Sequence, residues 1–366
     1  MTFDDKYGKM IKKKTREWYN LNQSLTNPQW EKPIYAKKQI ERAGKALSKS
    51  DLSEQEKKNA LKILDNWRAS HAYPLQVIAN NLRRNNPNAI VVQRLKRLES
   101  IVEKLKRFPD MNLYRMQDLG GCRIIVDTIG EVYQTVDKYK KSNIRHILKR
   151  ENDYITNPKS SGYRSYHMAY QFYSDKKDTY NNHMLIEIQV RTKLQHIWAT
   201  AVEMMGIYTK TSLKSSMGDK DVLRFFTLVS SIFAIMEQTP VCPKTSDDIR
   251  ELGQEIKKLD QKHNILSTLR ALSAAIDNTS TDKEFKNGYF LLALNYSEMT
   301  VSISSFKKNQ VDLATRIYNE AEKNHNNNVD IVLVSANSFD TVRTAYPNYF
   351  TDISKFTSLM KDILNI

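Results

Sequence analysis

Arg115-Met116-Gln117-Asp118-Leu119-Gly120-Gly121-Cys122-Arg123-Ile124-Ile125-Val126 decides the fold: a polar, glycine-bearing turn runs directly into an apolar stretch of strand length. Gly162-Tyr163-Arg164-Ser165-Tyr166-His167 and Glu187-Ile188-Gln189-Val190-Arg191-Thr192 have the same character, with charges interrupting apolar runs. In the second, Met184, Ile186, Ile188 and Val190 point one way and Glu187, Gln189 and Arg191 the other. Tyr163, Ser165 and His167 likewise share a side, opposed to Tyr166, Met168, Tyr170 and Phe172. One side of the sheet is therefore core and the other a polar working surface.

That surface has the donor set for magnesium and phosphate. Mg²⁺ takes one or two protein carboxylates and completes its shell with water and phosphate oxygens, and Asp118 and Glu187 suit it. Each also has a plainer reading: Asp118 as a turn or helix-cap residue, Glu187 as an ion-pair partner of Arg123, Arg164 or Arg191. Arg94, Lys96, Arg97 and Lys104, with Arg123, can neutralise a triphosphate through charge-assisted hydrogen bonds. Neither GxxxxGK[ST] nor GxGxxG occurs, so Walker and Rossmann sites are not supported. Tyr163, following Gly162, can lie flat on a base, and His167 can orient or deprotonate an acceptor hydroxyl, although both residue types also serve as ordinary packing.

Of 366 residues, 40% are hydrophobic and 27% charged, which fits a soluble chain of two domains or one core with appendages. Lys6, Lys9, Lys12, Lys13 and Lys14 precede no apolar run, so no signal peptide is read. Phe225 to Met236 is too short to span a bilayer and reads as a buried helix. Two cysteines, Cys122 and Cys242, exclude a disulfide framework and a CxxC zinc site and fit the cytoplasm. Residues 1–110 hold 24 Lys/Arg against 12 Asp/Glu, a net of +12 out of +16. Such a front end attracts polyanions, RNA or DNA first, unless it is simply a solvated set of basic helices. Trp18, Tyr19, Trp30, Tyr35, Trp67 and Tyr73 accompany it, and an exposed member could stack on a base.

The chain reads as α+β: a mixed sheet flanked by helices, with a helical N-terminal extension and a small C-terminal α/β unit. Residues 1–85 form a basic helical region, with a capping box at Ser53 and Glu56; 86–240 the sheet domain; 241–283 a linking helix, long from Ser246 to about Asp277; and 284–366 the C-terminal unit. Val91, Leu95, Leu98, Val102 and Leu105 follow helical spacing, which would align Arg94, Arg97, Ser100, Lys104 and Arg107 as a stripe; alternatively Ile90-Val91-Val92 ends a strand and the helix starts near Leu98.

In combination the motifs resemble the RelA/SpoT family of nucleotide pyrophosphokinases from about Arg94 to Tyr208. Arg94-x-Lys96-x-x-x-Ser100-Ile101-x-x-Lys104 is similar to its ATP-binding loop, and Arg115 to Ile124 to its magnesium-Asp motif. Asp153-Tyr154-Ile155-x-x-Pro158-Lys159-x-x-Gly162-Tyr163-Arg164-Ser165-x-His167 resembles its acceptor loop, and Glu187 to Thr192 with Trp198-Ala199 its second acidic motif. The resemblance implies transfer of the ATP β,γ-pyrophosphate to a ribose 3′-hydroxyl. Arg94, Lys96, Ser100, Lys104 and Arg123 would hold ATP, Asp118 would ligate Mg²⁺, Glu187 would assist the metal or activate the hydroxyl, and Tyr163 would stack on the acceptor base. Lys159, His167 and Gln189 would complete the acceptor site.

Asn152, Ser161 and Leu95 depart from the family's usual Lys, Asn and Pro, as does Thr200 to Met204, and these put its GDP/GTP acceptor in doubt. No His-Asp dipeptide occurs, so the hydrolase domain of long members is not read. The C-terminal unit, ending in Ala345-Tyr346-Pro347-Asn348-Tyr349-Phe350, resembles the fused toxin–antitoxin branch called CapRel. That likeness implies a toxin that pyrophosphorylates the 3′ CCA end of tRNA. It also implies inhibition in cis by a zinc-finger-like domain without zinc through Tyr346 and Tyr349, relieved by a phage protein such as a capsid protein. On spacing alone the two tyrosines would simply pack the last helices. The other product class is an alarmone, (p)ppGpp or ppApp. No membrane partner is read.

Overall fold

The computed structural model describes residues 30–49, 51–209, 213, 218–274, 286–295, 300–324, 329–346 and 353–364. Trp18, Tyr19 and Tyr349 lie outside them, as does the whole of the basic 1–29 stretch. After helices α1 (Lys37–Leu47), α2 (Glu54–Ser70) and α3 (Ala72–Asn85) come β1 (Ile90–Leu95), α4 (Leu98–Arg107), β2 (Gly120–Val126), α5 (Ile129–Lys141), β3 (Ile147–Asp153), β4 (Tyr166–Gln171) and β5 (Leu185–Thr192). Next follow α6 (Lys193–Tyr208), α7 (Lys220–Met236), α8 (Ile249–His263) and α9 (Ile265–Ala274). The C-terminal unit holds β6 (Lys286–Asn295), β7 (Thr300–Lys307), α10 (Val311–Asn324), β8 (Val329–Ser338), α11 (Phe339–Ala345) and α12 (Ser354–Leu364).

The strands form one sheet in the order β3-β4-β5-β2-β1-β8-β6-β7. β2 and β5 run parallel, and every other neighbouring pair is antiparallel. The α+β reading with a mixed sheet and flanking helices holds. The C-terminal strands, however, continue the same sheet: Gln93 and Arg94 of β1 face Ser335 and Val334 of β8. The last helix, α12, packs with α6 to α9 around Phe225, Phe233, Ile256 and Phe356.

The two sheet faces have different coverings. One carries Val91, Cys122, Ile124, Ile186, Ile188 and Val190 under α1 to α3 and α5, and continues with Leu291 and Leu333 under Tyr318 of α10. The other carries Val92, Ile125, Leu292 and Val334 under α11.

Local differences from the sequence reading have local causes. Ile90–Leu95 is a strand with the helix starting at Leu98, so Arg94 lies on the sheet and not on a helical stripe. The long helix read from Ser246 to Asp277 is two helices, because Asn264 adopts the left-handed conformation (φ 52°) and terminates the first. Ser53 and Glu56 form the expected capping box of α2. Among the described front-end aromatics, Trp67 is buried and stacked on Tyr114, and Trp30, Tyr35 and Tyr73 pack partly buried against the core. They are spent on packing, so none is an exposed stacking platform. No described helix is long and apolar enough to cross a membrane.

Candidate active site

Register gathers the polar face. Gly121 sits between Arg94 and Glu187, Arg123 is beside Gln189, and His167 faces Gln189 from β4. Because side chains alternate along each strand, Arg94, Arg123, Glu187, Gln189, Arg191 and His167 project to the same side.

Asp118 stands in the turn before β2. Its Oδ2 accepts from Lys104 Nζ at 2.8 Å and lies 3.2 Å from Lys96 Nζ. Lys96 is brought there by its backbone N–H, which extends the β1–β2 ladder to the Leu119 carbonyl. Lys104 reaches down from α4, one turn beyond Ser100 on the same helical face. Burial opposes the charge of Asp118, but Lys96 and Lys104 outweigh it and hold the carboxyl below its ordinary value. Burial in turn lowers the Lys96 ammonium. The second oxygen, Oδ1, is buried with no hydrogen-bond partner. A lone, ionised, unpartnered oxygen in a polar site fits one ligand position of Mg²⁺, whose remaining positions water and phosphate would fill.

Glu187 is arranged differently. Its Oε1 accepts from His167 Nδ1 at 3.0 Å and its Oε2 from Gln189 Nε2 at 2.7 Å. Burial opposes its charge, yet the hydrogen bonds from His167 and Gln189 help lower the carboxyl's pKa. With Nδ1–H given to the carboxylate, His167 Nε2 meets the Tyr163 hydroxyl at 2.9 Å. Both Glu187 oxygens thus have donors, and in this arrangement the carboxylate serves the histidine. None of the three arginines considered for it is its ion-pair partner: Arg164 is buried against Ser230 and the Ile155 carbonyl, Arg191 turns to His196, and Arg123 to Ala345.

Tyr163 is set by its neighbour. Gly162 has φ +86°, and a Cβ there would lie 2.9 Å from the Trp198 ring and 3.0 Å from Ser230, so only glycine fits the turn. Trp198 in turn donates to the Phe226 carbonyl at 2.8 Å. Lys159 Nζ lies 4.2 Å from the Tyr154 ring centroid and 5.3 Å from that of Tyr163. The residues that the sequence reading assigns to an acceptor site, with Glu187, therefore converge as a Lys159–Tyr163–His167–Glu187–Gln189 chain.

Arg123 and Arg191 each bury an Nε without a partner. Arg191 is pushed down to about 9 by burial and then by the Arg123 charge. The C-terminal unit closes over them. Tyr346 is buried with its ring 5.6 Å from the Arg123 guanidinium, which also donates to the Ala345 carbonyl at 3.1 Å. His196 Nε2 meets the Thr344 carbonyl at 2.8 Å and so must carry the proton, leaving Nδ1 to accept from Arg191. His196 escaped the sequence reading. The available signal was Thr192, whose capping box starts α6 and turns His196 back toward β5.

An ionised carboxylate with a free oxygen, beside guanidiniums short of partners, is the donor set of a class of site able to hold polyphosphate with a divalent cation. Residues 93–213 match the family described as "Region found in RelA / SpoT proteins", and this part of the chain belongs to the RelA/SpoT family. The chain is 34% identical over 118 residues to GTP pyrophosphokinase YjbM of Bacillus subtilis, covering 32% of this chain and 55% of that protein. It is 32% identical over 127 residues to GTP pyrophosphokinase YwaC of the same organism, covering 33% and 59%. The matches thus span little more than half of those relatives. Among solved structures, small alarmone synthetase 1 of B. subtilis bound to its product pppGpp aligns at 22% identity over 48% of this chain and 94% of that one, with a TM-score of 0.39.

Proposed function

We propose that the chain is an ATP-dependent pyrophosphotransferase that modifies the 3′ CCA end of tRNA and is held inactive by its own C-terminal unit. The observation that carries the transfer chemistry is Asp118, ionised with one oxygen free, on the face that also holds Arg94, Arg123 and the His167–Glu187 pair. Lys96, Ser100, Lys104, Arg94 and Arg123 hold the ATP phosphates. Magnesium, when bound at Asp118, neutralises charge on the polyphosphate oxygens. His167, fixed by Glu187 with Nε2 free to accept, takes the proton of the acceptor hydroxyl when that hydroxyl replaces Tyr163 on Nε2; the hydroxyl oxygen bonds to the β-phosphorus of ATP as the bond from that phosphorus to the α–β bridging oxygen breaks and AMP leaves. Tyr163 then serves the acceptor base.

Inhibition is supported by Tyr346, whose ring and preceding carbonyl occupy the Arg123 guanidinium. tRNA is supported by the +12 front end and by the acceptor-loop departures Asn152 and Ser161. Toxicity by arrest of translation, a phage protein as the trigger and a cytoplasmic setting complete the proposal. A second reading, an alarmone synthetase using a purine nucleotide, is favoured by the names of the relatives, both GTP pyrophosphokinases.

The test offers γ-labelled ATP with Mg²⁺, tRNA and GDP together to the wild type, Tyr346→Ala, and Tyr346→Ala/Asp118→Asn. Label on the tRNA 3′ end, raised by Tyr346→Ala and lost with Asp118→Asn, is the expected result. Label on GDP alone selects the second reading, and no label in any variant rejects both.

A further inference from the structure

The join between β1 and β8, where the C-terminal strands meet the rest of the sheet, is straddled on the α3 side by one guanidinium. Arg83 of α3 donates from Nε to the Val91 carbonyl of β1 (3.4 Å) and from NH2 to the Ser335 carbonyl of β8 (3.1 Å). Its NH1 donates to Asn80 Oδ1 at 3.3 Å. All three acceptors are neutral, and among the described residues Arg83 has no carboxylate partner. Burial accordingly lowers its pKa, opposed only by the Cys122 thiol and the Tyr289 and Tyr346 phenols and by no carboxylate. A largely desolvated cation without a counter-charge is an expensive arrangement unless a ligand supplies one.

Beside it lies a cleft of about 230 Å³ whose walls include Arg83, Arg84, Lys308, Gln76 and Asn80 and no acidic residue. Arg84 and Lys308 are exposed, come from opposite sides of the join, and make no ion pair among the described residues. The amides add donors rather than acceptors: Asn80 Oδ1 is taken by Gln76 Nε2 (2.7 Å) and Arg83, which leaves Asn80 Nδ2 for the cleft. Gln76 Oε1 is taken by Gln93 and Tyr289.

We infer that this cleft is an anion site for a phosphate or diphosphate group, separate from the polar face and placed to clamp the C-terminal strands to the rest of the sheet. Three cations and an amide donor converge without a carboxylate, which is the chemistry that recognises a phosphoryl oxyanion. It stands on the opposite side of the sheet from Arg123 and Tyr346 and does not depend on the activity proposed above.

The probe is inorganic pyrophosphate without Mg²⁺, titrated calorimetrically into the full chain at low salt, and then GTP in its place. Wild type binds, Arg84→Glu/Lys308→Glu binds about tenfold or more weakly, a change of about 1.4 kcal/mol per decade, and Arg123→Ala retains binding at this cleft. The double variant alters exposed side chains only, so its ligand-free unfolding midpoint stays with that of wild type and separates lost binding from lost fold. Loss of both probes supports a site that reads phosphate alone; loss of GTP binding that exceeds pyrophosphate binding assigns nucleotide polyphosphate. Unchanged binding in the double variant, or no wild-type binding at millimolar pyrophosphate, overturns the inference.

Discussion

Asp118 and His71 show how burial sets the chemistry at single residues. Asp118 stays ionised because two ammoniums share one of its oxygens, so Asp118→Asn removes the free ligand position and leaves Lys96 and Lys104 facing each other. Pyrophosphate transfer in the Tyr346→Ala background is expected to fall by about a hundredfold or more, with near-native far-UV circular dichroism. A residual rate within a few-fold would remove Asp118 from the chemistry. His71, in contrast, lies beneath the site with Nδ1 donating to the Trp67 carbonyl and its ring 4.8 Å from that of Trp67. Burial pushes it down to about 4. Its folded pKa lies below the unfolded value, so the unfolded chain takes up the proton first as pH falls. The stability His71 contributes is full above about 6.5, declines toward pH 4 and changes no further below it. The shift corresponds to on the order of 3 kcal/mol. Urea unfolding of wild type and His71→Gln between pH 7 and 4 checks this: the variant's curve should be flatter, and parallel curves would show that His71 does not titrate in this window.

At the scale of elements, α4 is a helix with no cap of its own. Its N-cap residue, Arg97, makes no side-chain cap. Glu322 of α10 does this from the C-terminal unit, its Oε1 accepting from the Leu98 N–H at 2.6 Å while Oε2 accepts from the fully buried Arg68 at 2.5 Å. Arg68 is also held by Tyr318 and Asn319 of α10. Glu322→Ala would uncap α4 and leave the buried Arg68 only Asp65, at 3.2 Å, as a carboxylate partner, a loss toward the low end of about 3–5 kcal/mol. Glu322→Gln, which keeps an acceptor for Leu98, should cost less. Equilibrium denaturation of both variants measures the difference, and equal stabilities for Ala and wild type would remove Glu322 from any such role. This cap also shows where sequence legibility ended. β2 and β5 were readable because alternation needs only the strand's own residues, and so were Asp118, Tyr163, His167 and Glu187, which sit in local motifs. Glu322, Arg68 and His196 were not, because their roles arise from partners more than a hundred positions away. The split at Asn264 was missed because Asn tolerates a left-handed turn without the usual signal of glycine.

The whole molecule turns on the continuity of its sheet. A C-terminal unit following a linker suggests a piece that could be removed, yet β8 covers the edge of β1, α10 caps α4, and α11 covers Val92 and Ile125. A chain ending at Asn278 would open the β1 edge where Gln93 and Arg94 now pair with β8, beside apolar side chains on both faces. It would also lack α12, whose Phe356 and Met360 fill the helical cluster around Phe226 and Phe233. Each loss exposes apolar surface at roughly 25 cal/mol per Å², and together they exceed what a marginally stable domain tolerates. The truncated chain is therefore expected to aggregate or to elute as a broad, ANS-binding species, while the full chain unfolds in one cooperative transition. Size-exclusion chromatography with circular dichroism melting decides it. A truncated chain that elutes as one sharp species with its own cooperative melt would show that the C-terminal unit rests on a self-sufficient domain, and inhibition would then be a docking equilibrium. Failure to fold instead means that relief of inhibition must leave β8 and α10 in place and move only α11 and Tyr346 off Arg123.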